Sequence, residues 1–346
     1  MSKTAEIPCW NLDDVFHGFE SEEYKKAKNE LKTLLENLGI ELENAKPPSD
    51  IKSTANWLFE LLGKLDRLET LADTLSAYVQ ARFSTDTRDA LVLQELGKVE
   101  ELLVPATKIL VLFRNLLARY EKRIKKVISQ DSRFVDYAFV LEEALMFQKH
   151  QMLPQLEDLA ADLGRSGADA WSRLQDSILA NASAIWNEAT GERKTMVELR
   201  NLAYDADRSI REKAYRLELS IWKTYEIPVA AALNGVKGTV LTLNKRRGWE
   251  SAIDASLAQA RISRATLEAL IGTMEESLPM WRRYLHAKAR LLGLERLSFF
   301  DLFAPLQKQG AMIKSYSWPE AKDFIVRQFG SFDEEMMNGY VVAIQV

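Results

Sequence analysis

Cysteine and histidine, two residues that often bind metals or act in catalysis, are scarce in this sequence. Cys9 is the one cysteine among 346 residues, so no disulfide can form within the chain. This usage is typical of proteins in a reducing compartment, and we expect a cytoplasmic location. The three histidines are His17, His150 and His286. No two of them have the i, i+4 spacing that places two imidazoles around zinc on one helix face.

Long hydrophobic runs and an excess of positive charge are also missing. The most apolar stretch, residues 102–117, is interrupted by Pro105, Lys108 and Arg114, so we do not expect it to span a membrane. The N-terminal residues lack the apolar segment of a secretory signal. The chain has 46 basic and 50 acidic residues, a net charge of −4, without the basic surface that general nucleic-acid binding requires. The sequence therefore predicts a soluble protein whose partner is neither a membrane nor a nucleic acid.

Helical periodicity is abundant, with apolar residues spaced three and four positions apart. It predicts a mostly α-helical protein of long antiparallel helical hairpins, forming a bundle. Ser21 and Asp207 are expected helix N-caps, Gly39 and Gly330 expected helix ends, and Pro105 and Pro228 expected bends. The predicted helices cover residues 21–39, a segment after the turn at 46–50, 85–128, 136–149, 154–163, 168–180, 205–248, 263–277, 279–292 and 317–330.

Two segments depart from the helical pattern. Residues 182–196, "ASAIWNEATGERKTM", place β-branched and aromatic residues on both sides of a turn, which predicts a minor β-hairpin. Residues 337–346, "MNGYVVAIQV", form a short apolar run that resembles a strand. We also expect Arg211, Glu212, Lys213 and Arg216 to lie on the exposed side of their helix.

The histidines and the cysteine give weak signals for chemistry. Asp14 and His17 have the i, i+3 spacing of a shared helix face, so they suit either a metal ligand pair or, more simply, a surface or cap role. His150 lies near a helix end, where the dipole favours a cation. His286 lies among basic residues, which does not suggest a general base. Cys9 has no histidine neighbour of defined geometry.

The charged pairs and clusters are equally open to structural explanations. Glu100 with Glu101, and Glu142 with Glu143, are adjacent in sequence and diverge on a helix, so neither pair forms a two-carboxylate site by itself. The basic stretch 119–127 is typical of a helix C-terminus, where the dipole favours cations. The alternative is that it binds an anionic partner. The aromatic residues are typical of a buried core. The alternative is that they line a groove that binds an extended peptide. We find no catalytic constellation among these residues.

Three stretches carry a resemblance to a known family. They are "CWNLDDVFHGFESEEY" (9–24), the segment 205–257 with its Arg-x-x-Ala-Tyr and Ala-Leu-Asn-x-x-Lys runs, and "KARLLGLERLSFFDLFAPL" (288–306). In this order the chain resembles the N-terminal half of oligoendopeptidase F, in the thimet-oligopeptidase-like group of zinc metallopeptidases. The resemblance extends over residues 9–335.

The resemblance implies a fold and an activity. The family fold is a mostly helical, two-lobed ellipsoid around a channel that admits short peptides. Zinc is the expected cofactor of the full-length family, held by a His-Glu-x-x-His helix and a later glutamate, where it activates water for hydrolysis. Residues 1–346 contain no His-Glu-x-x-His motif. The resemblance therefore assigns no catalytic, cofactor-binding or metal-binding residue to this chain, and it predicts that the chain binds no zinc and is inactive alone.

The resemblance also predicts an organisation. Residues 1–200 would form an N-terminal helical domain, 201–297 the central helices of the peptidase lobe, and 298–346 the start of a catalytic lobe that is truncated before the zinc motif. Phe299, Phe300 and Phe303 would then be partly exposed, and we expect self-association through this apolar surface. The alternative is a standalone helical peptide-binding or scaffold module. A ferritin-like metal bundle is excluded because no Glu-x-x-His motif is present.

Overall fold

Helices make up most of the computed structural model, which describes residues 12–85, 87, 89–306 and 316–345. Cys9 and Trp10 lie outside these residues. The described residues form fourteen α-helices and one two-stranded antiparallel sheet, which confirms the predicted mostly α fold with a minor hairpin. In the described part of the chain, no helix is both long and apolar enough to cross a membrane.

The helices and strands follow in chain order. They are α1 (Glu22–Glu43), α2 (Ile51–Thr85), α3 (Ala90–Arg119), α4 (Glu121–Gln130), α5 (Ala138–Gln148), α6 (Pro154–Ser166), α7 (Ala168–Asn181), β1 (Ser183–Asn187), β2 (Glu192–Thr195), α8 (Met196–Asn201), α9 (Arg208–Thr224), α10 (Glu226–Arg246), α11 (Ala252–Ala260), α12 (Arg264–Leu291), α13 (Trp318–Phe332) and α14 (Glu334–Gln345).

The contacts divide the chain into two compact units. One unit comprises residues 1–37, 62–103 and 307–346, and the other comprises residues 38–61 and 104–306. The predicted domain boundaries at residues 200 and 297 rest on the family resemblance rather than on these contacts, and they remain a prediction.

Aromatic rings form the core of the first unit. Phe16, Tyr24 and Tyr78 are all buried, and their ring centroids lie 5.1–5.7 Å apart. The Tyr24 hydroxyl donates to Glu95 Oε1 at 3.0 Å, and Lys28 also bonds this carboxylate. Edge-to-face ring contacts of this kind add to the burial of apolar area. The hydrogen bonds satisfy the polar atoms that the core encloses.

In the second unit, the β-hairpin packs on α8 and α9. Ser183 pairs with Thr195 and Ala184 with Lys194, and Gly191 in the turn has a φ of 72°, which glycine adopts without strain. The side chain of Thr195 caps α8 in a capping box with Glu198. A buried cluster joins these elements, formed by Ala182, Met196, Leu199, Ala214 and Ile221.

Elsewhere in the second unit, α7 packs closely on α10. The close approach depends on Gly235 of α10, because a Cβ at this position would lie 2.5 Å from Nε1 and 2.7 Å from Cγ of Trp171 on α7. Those distances are shorter than van der Waals contact allows. The glycine therefore makes room for the indole ring.

Several predicted helix limits differ from the structure. Helix α1 begins after Ser21, whose hydroxyl accepts from Tyr24 N–H at 3.3 Å, as predicted. It does not end at Gly39 but continues to Glu43. Leu38 and Leu42 are both buried, so the apolar stripe extends past the glycine and keeps the segment helical.

The prolines lie within helices and do not themselves separate one helix from the next. Helix α3 runs through Pro105, and the interruption comes at Tyr120, between α3 and α4. Pro228 lies in the first turn of α10, where a missing N–H leaves no intrahelical bond unmade, and the break precedes it at Tyr225. Pro279 lies inside α12, so the two helices predicted at 263–277 and 279–292 are one.

The strand-like interpretation of residues 337–346 is wrong, because these residues belong to α14 as far as Gln345. Asp333 starts this helix, with its carboxylate accepting from Met336 N–H at 2.9 Å, and Glu334 and Glu335 follow in the first turn. A short apolar run does not distinguish strand from helix by itself. Helix α13 also passes its predicted end at Gly330 and finishes at Phe332.

Candidate functional site

Arg211 of α9 is buried, with 3% of its surface exposed, so the prediction that it decorates an exposed helix face is wrong. Its Nε donates to Phe300 O at 3.1 Å, and Nη2 donates to Asp301 Oδ1 at 2.9 Å. Nη1 donates to Asp205 O at 2.8 Å and to Ala206 O at 3.0 Å. The guanidinium therefore ties the start of α9 to a segment about ninety residues later in the chain.

Asp301 is the acceptor at the centre of this arrangement, and its side chain is fully buried. Its Oδ2 accepts from Ser298 N–H at 3.0 Å and from Arg208 Nη2 at 3.2 Å. Burial alone would raise the pKa of Asp301, but the hydrogen bonds from Ser298, Arg211 and Arg208 outweigh it and hold this pKa below its usual value. Asp301 is thus an ionised carboxylate with its oxygens occupied, which suits a structural role.

Lys288, at the end of α12, extends the same cluster. It is buried, and its Nζ donates to Leu302 O at 2.7 Å. Burial lowers the pKa of Lys288, and the neighbouring Arg211 charge lowers it further, against the opposing effect of Asp301. Gly293 ends α12 as predicted, with a φ of 70° just beyond the last helical turn. Two cations and a carboxylate therefore fix the path of the chain from the end of α12 to Leu302.

This fixed segment presents a set of rings around a pocket of about 400 Å³. We call the set the aromatic patch, and its members are Tyr204, Tyr215, Phe299, Phe300 and Phe303. The Tyr204 and Phe303 centroids lie 5.1 Å apart, and those of Tyr215 and Phe299 lie 5.6 Å apart. Phe299 is 66% exposed and Phe303 52% exposed, while Phe300 is half-buried. The expected partial exposure of these phenylalanines is therefore observed.

The chemistry of the aromatic patch is that of a binding surface. At its edge, Arg200 Nε donates to Glu218 Oε1 at 2.8 Å, and both residues line the pocket. Arg211, which also lines it, has its donors engaged by backbone carbonyls and Asp301. The side chains that line the pocket do not include a nucleophile paired with a general base. The pocket offers ring faces and apolar volume to a partner.

The buried positions of Arg211, Asp301 and Lys288 were not predicted from the sequence. A signal was present in the position of Arg208 and Arg211, because both lie in the first turn of α9, where the helix dipole disfavours cations. Arginines at such a position indicate another acidic partner. The sequence alone did not identify that partner, because Asp301 is 90 residues away.

The structure separates the three histidines. His17 Nδ1 lies 2.6 Å from Glu23 Oε1, in a turn before α1, and not on a helix face shared with Asp14. Hydrogen bonds from its own backbone N–H and then from His17 lower the pKa of Glu23 to about 2. The ring of His150 stacks on Trp249 at 3.6 Å, and His286 is exposed on α12. Among the described residues, no group of three or more His, Cys, Asp or Glu side chains is arranged to hold a metal ion.

The charged pairs and the basic stretch have structural partners. Glu143 accepts from Arg261 at 2.7 Å and 2.9 Å, whereas its neighbour Glu142 is exposed. In the stretch 119–127, Ile124 and Val127 are buried, Lys125 pairs with Glu121 at 2.6 Å, and Arg123 bonds the Pro48 carbonyl. This stretch therefore anchors α4. Binding of an anionic partner there remains a prediction.

Comparison with known proteins finds similarity to oligoendopeptidase F. A family model described as Oligopeptidase F matches residues 116–182. Oligopeptidase PepF of Bacillus subtilis (strain 168) is 23% identical over 332 residues, covering 94% of this chain and 48% of the relative. The plasmid oligoendopeptidase F of Lactococcus lactis subsp. cremoris is 23% identical over 323 residues, covering 88% of this chain and 51% of the relative. These matches support a resemblance of the chain to the oligoendopeptidase F family.

The fold is also similar to that of solved oligoendopeptidase F structures. The crystal structure of oligoendopeptidase-F from Enterococcus faecium superposes with a TM-score of 0.69 at 19% identity, covering 93% of this chain and 60% of that one. At 19% identity this similarity supports a shared fold and nothing further. The chain spans about half the length of the curated oligoendopeptidase F relatives it matches.

Proposed function

We propose that residues 1–346 form the N-terminal, non-catalytic portion of a cytoplasmic oligoendopeptidase F-like zinc metalloendopeptidase that hydrolyses short peptides. One observation carries the proposal. The similarity covers 94% of this chain but 48% of the Bacillus subtilis relative, and residues 1–346 contain no His-Glu-x-x-His motif. On this proposal the chain contributes to the fold and to the peptide-binding walls of the peptidase, and it does not hydrolyse peptides by itself.

Zinc, the cofactor that the family resemblance implies, does not fit the residues described here. His17 bonds Glu23, His150 stacks on Trp249, and His286 is exposed on a different helix. A catalytic zinc needs three protein ligands within about 2.3 Å of the metal. The three histidines each lie in a different local setting, so we derive no catalytic step through zinc in this chain.

The aromatic patch has a role in this proposal. Phe299 and Phe303 are more than half exposed, yet the segment that carries them is fixed by the buried Arg211–Asp301 pair. Exposed rings held in a fixed arrangement are suited to an interface, because little side-chain entropy remains to be lost on contact. We propose that these rings pack against the part of an oligoendopeptidase F that the similarity to this chain does not cover. No observation favours a standalone scaffold role over this arrangement.

The proposal is tested with purified residues 1–346. Zinc content is measured by inductively coupled plasma mass spectrometry after dialysis against zinc, and turnover is measured with an internally quenched fluorescent peptide. We expect less than stoichiometric zinc and no cleavage above a buffer control. A full-length oligoendopeptidase F assayed in parallel shows that the substrate and conditions support turnover. Zinc-dependent cleavage by residues 1–346 that a chelator abolishes would overturn the proposal.

A further inference from the structure

A second cavity, of about 230 Å³, lies in the unit that contains residues 104–306. It is bounded by α3, the end of α5, α6, α10 and α11, and it shares no lining residue with the aromatic patch. We call it the Arg114–Gln151 cavity, and its lining includes Leu110, Val111, Arg114, Gln151, Arg247 and Trp249. Nothing in the proposed peptidase role uses it.

Arg114 places a positive charge in this cavity, and no ion-pair partner for it lies among the described residues. Its Nε is buried and has no hydrogen-bond partner in that part of the chain, while its guanidinium carbon lies 5.1 Å from the centre of the Phe147 ring. Burial lowers the pKa of Arg114, which reflects the loss of water around its charge. Arg114 as a whole is half-buried, but a buried Nε–H without an acceptor is costly, which makes a ligand anion favourable here.

The carboxylates near Arg114 are already engaged by other arginines. Glu157 accepts from Arg247 Nε at 3.0 Å and Nη2 at 2.6 Å, and it also accepts from Met152 N–H. Glu143, the other carboxylate that acts on Arg114 electrostatically, is bonded by both Nε and Nη2 of Arg261. Two guanidiniums and one carboxylate line the cavity, so one positive charge remains for a ligand.

Gln151 adds an unpaired acceptor beside this charge. Its Nε2 donates to Val111 O at 3.3 Å and to Asn115 Oδ1 at 3.1 Å, while its Oε1 is buried without a partner. The amide cannot be turned over, because that would place Oε1 against the Val111 carbonyl oxygen. Val111 and Asn115 flank Arg114 on α3. Arg114 and Gln151 both line the cavity.

The remaining walls are partly aromatic and partly aliphatic. The His150 and Trp249 rings are stacked at 3.6 Å with an interplanar angle of 10°, and His150 Nδ1 lies 3.3 Å from Arg247 O. Leu110 and Val111 supply aliphatic surface on α3. The volume of about 230 Å³ is several times the roughly 30 Å³ that one water occupies in the liquid, so one bridging water does not fill it. It is smaller than the pockets that hold drug-sized ligands and suits a molecule the size of one amino acid.

We propose that the Arg114–Gln151 cavity binds a small apolar carboxylate that also carries an N–H donor, the chemistry shared by a free α-amino acid and the C-terminal residue of a short peptide. The carboxylate accepts from Arg114 Nε and neutralises the unpaired charge. The ligand N–H donates to Gln151 Oε1. An aliphatic side chain contacts Leu110 and Val111. The site stands on these contacts and does not depend on the proposed peptidase role.

The ligand side of the proposal is tested by isothermal titration calorimetry on the unsubstituted chain. The probes are L-leucine, L-leucinamide, 4-methylpentanoate and alanyl-leucine. We expect saturable one-to-one binding of leucine, alanyl-leucine or both, and these two probes distinguish a free amino acid from a peptide C-terminus. Leucinamide lacks the carboxylate and 4-methylpentanoate lacks the N–H donor, so each should bind at least about tenfold more weakly than leucine or alanyl-leucine. The absence of saturable binding by both leucine and alanyl-leucine would overturn the proposal.

The protein side is tested with Arg114→Met, which keeps an aliphatic chain over Phe147 and removes the charge and the Nε–H. Gln151→Met removes the free acceptor, and Arg216→Met is the matched control, since Arg216 is exposed on α9 and pairs with Glu212. We expect Arg114→Met to lose binding, Gln151→Met to weaken it, and the control to bind as the parent does. Circular dichroism and thermal unfolding show whether each variant is folded. A folded Arg114→Met that retains the parent affinity would contradict the proposal, and should it fail to fold, the comparison of leucine with leucinamide decides.

Discussion

Arg211 on α9 and Asp301, ninety positions later in the chain, form an ion pair of 2.9 Å between two side chains that solvent hardly reaches. The pair is held in place by backbone groups on both sides, since Arg211 also bonds three carbonyls and Asp301 also accepts from Ser298 N–H. The aromatic patch depends on this arrangement. Phe299, Phe300 and Phe303 surround Asp301 in sequence.

We expect Arg211→Met to destabilise the chain by about 3 kcal/mol, because removing one partner leaves a buried carboxylate short of donors. Urea denaturation followed by circular dichroism measures the change in unfolding free energy. Arg216→Met on the same helix is the control, since Arg216 is 73% exposed and its pair with Glu212 should contribute less than about 0.5 kcal/mol. Equal changes in unfolding free energy for the two substitutions would show that the buried Arg211–Asp301 pair stabilises the chain no more than the exposed Arg216–Glu212 pair.

The lowered pKa of Asp301 predicts a dependence of stability on pH. Because the folded-state pKa lies below the unfolded value of about 3.9, this carboxylate stabilises the fold above that pH, and the contribution is lost as the pH falls through the folded-state pKa. Asp301→Asn should be less stable at neutral pH and should show a shallower loss of stability below about pH 4 than the parent. Urea denaturation at a series of pH values measures both. Asp162→Asn, at an exposed position on α6, should keep the parent slope.

Two glycines on α10 give a matched test of the α7–α10 contact. A Cβ at Gly235 would overlap the Trp171 ring, whereas a Cβ at Gly238 meets no atom within 4 Å. We expect Gly235→Ala to destabilise the chain by about 1–2 kcal/mol through overpacking. Gly238→Ala should instead stabilise it by about 0.5–1 kcal/mol, because alanine loses less entropy in a helix. Thermal or urea unfolding of the two variants measures the change in unfolding free energy, which should have opposite signs. A stabilised Gly235→Ala would argue against the tight contact between α7 and α10.

Self-association through the aromatic patch is expected of residues 1–346 in isolation. The double substitution Phe299→Ser with Phe303→Ser removes two rings that are 66% and 52% exposed and should reduce the associated fraction in sedimentation velocity. Phe332→Ser is the control, because Phe332 is 82% exposed at the end of α13 and outside the patch. A monomeric parent at all concentrations tested, or the same reduction by the control, would refute a role for the patch.

Local sequence signals predicted the parts of the fold that local contacts decide. Ser21 and Asp207 cap their helices as expected, and the hairpin at 182–196 appears as β1 and β2. These features depend on hydrogen bonds between residues a few positions apart, so their pattern is visible in the sequence. Gly293 likewise ends α12, because a positive φ suits glycine.

Tertiary contacts decided the parts that could not be predicted. Gly39 does not end α1 because Leu38 and Leu42 are buried, and Arg211 is enclosed because residues 298–301 fold over the start of α9. The orphaned atoms of Arg114 and Gln151 are likewise a property of packing, since nothing in their sequence neighbourhoods distinguishes them from other polar residues. The candidate sites could therefore be recognised only once distant segments were in place.

The contact between α9 and residues 298–301 bears on the order of folding. Strands β1 and β2 and helices α8 and α9 are consecutive in the chain. The buried cluster that they share is therefore formed by residues close in sequence. The Arg211–Asp301 bond instead closes a loop of about ninety residues, and contacts of such high sequence separation form more slowly. We expect the hairpin and its two helices to assemble early and the segment with Phe299 and Phe303 to dock late, so that these rings reach their final arrangement in one of the last steps of folding.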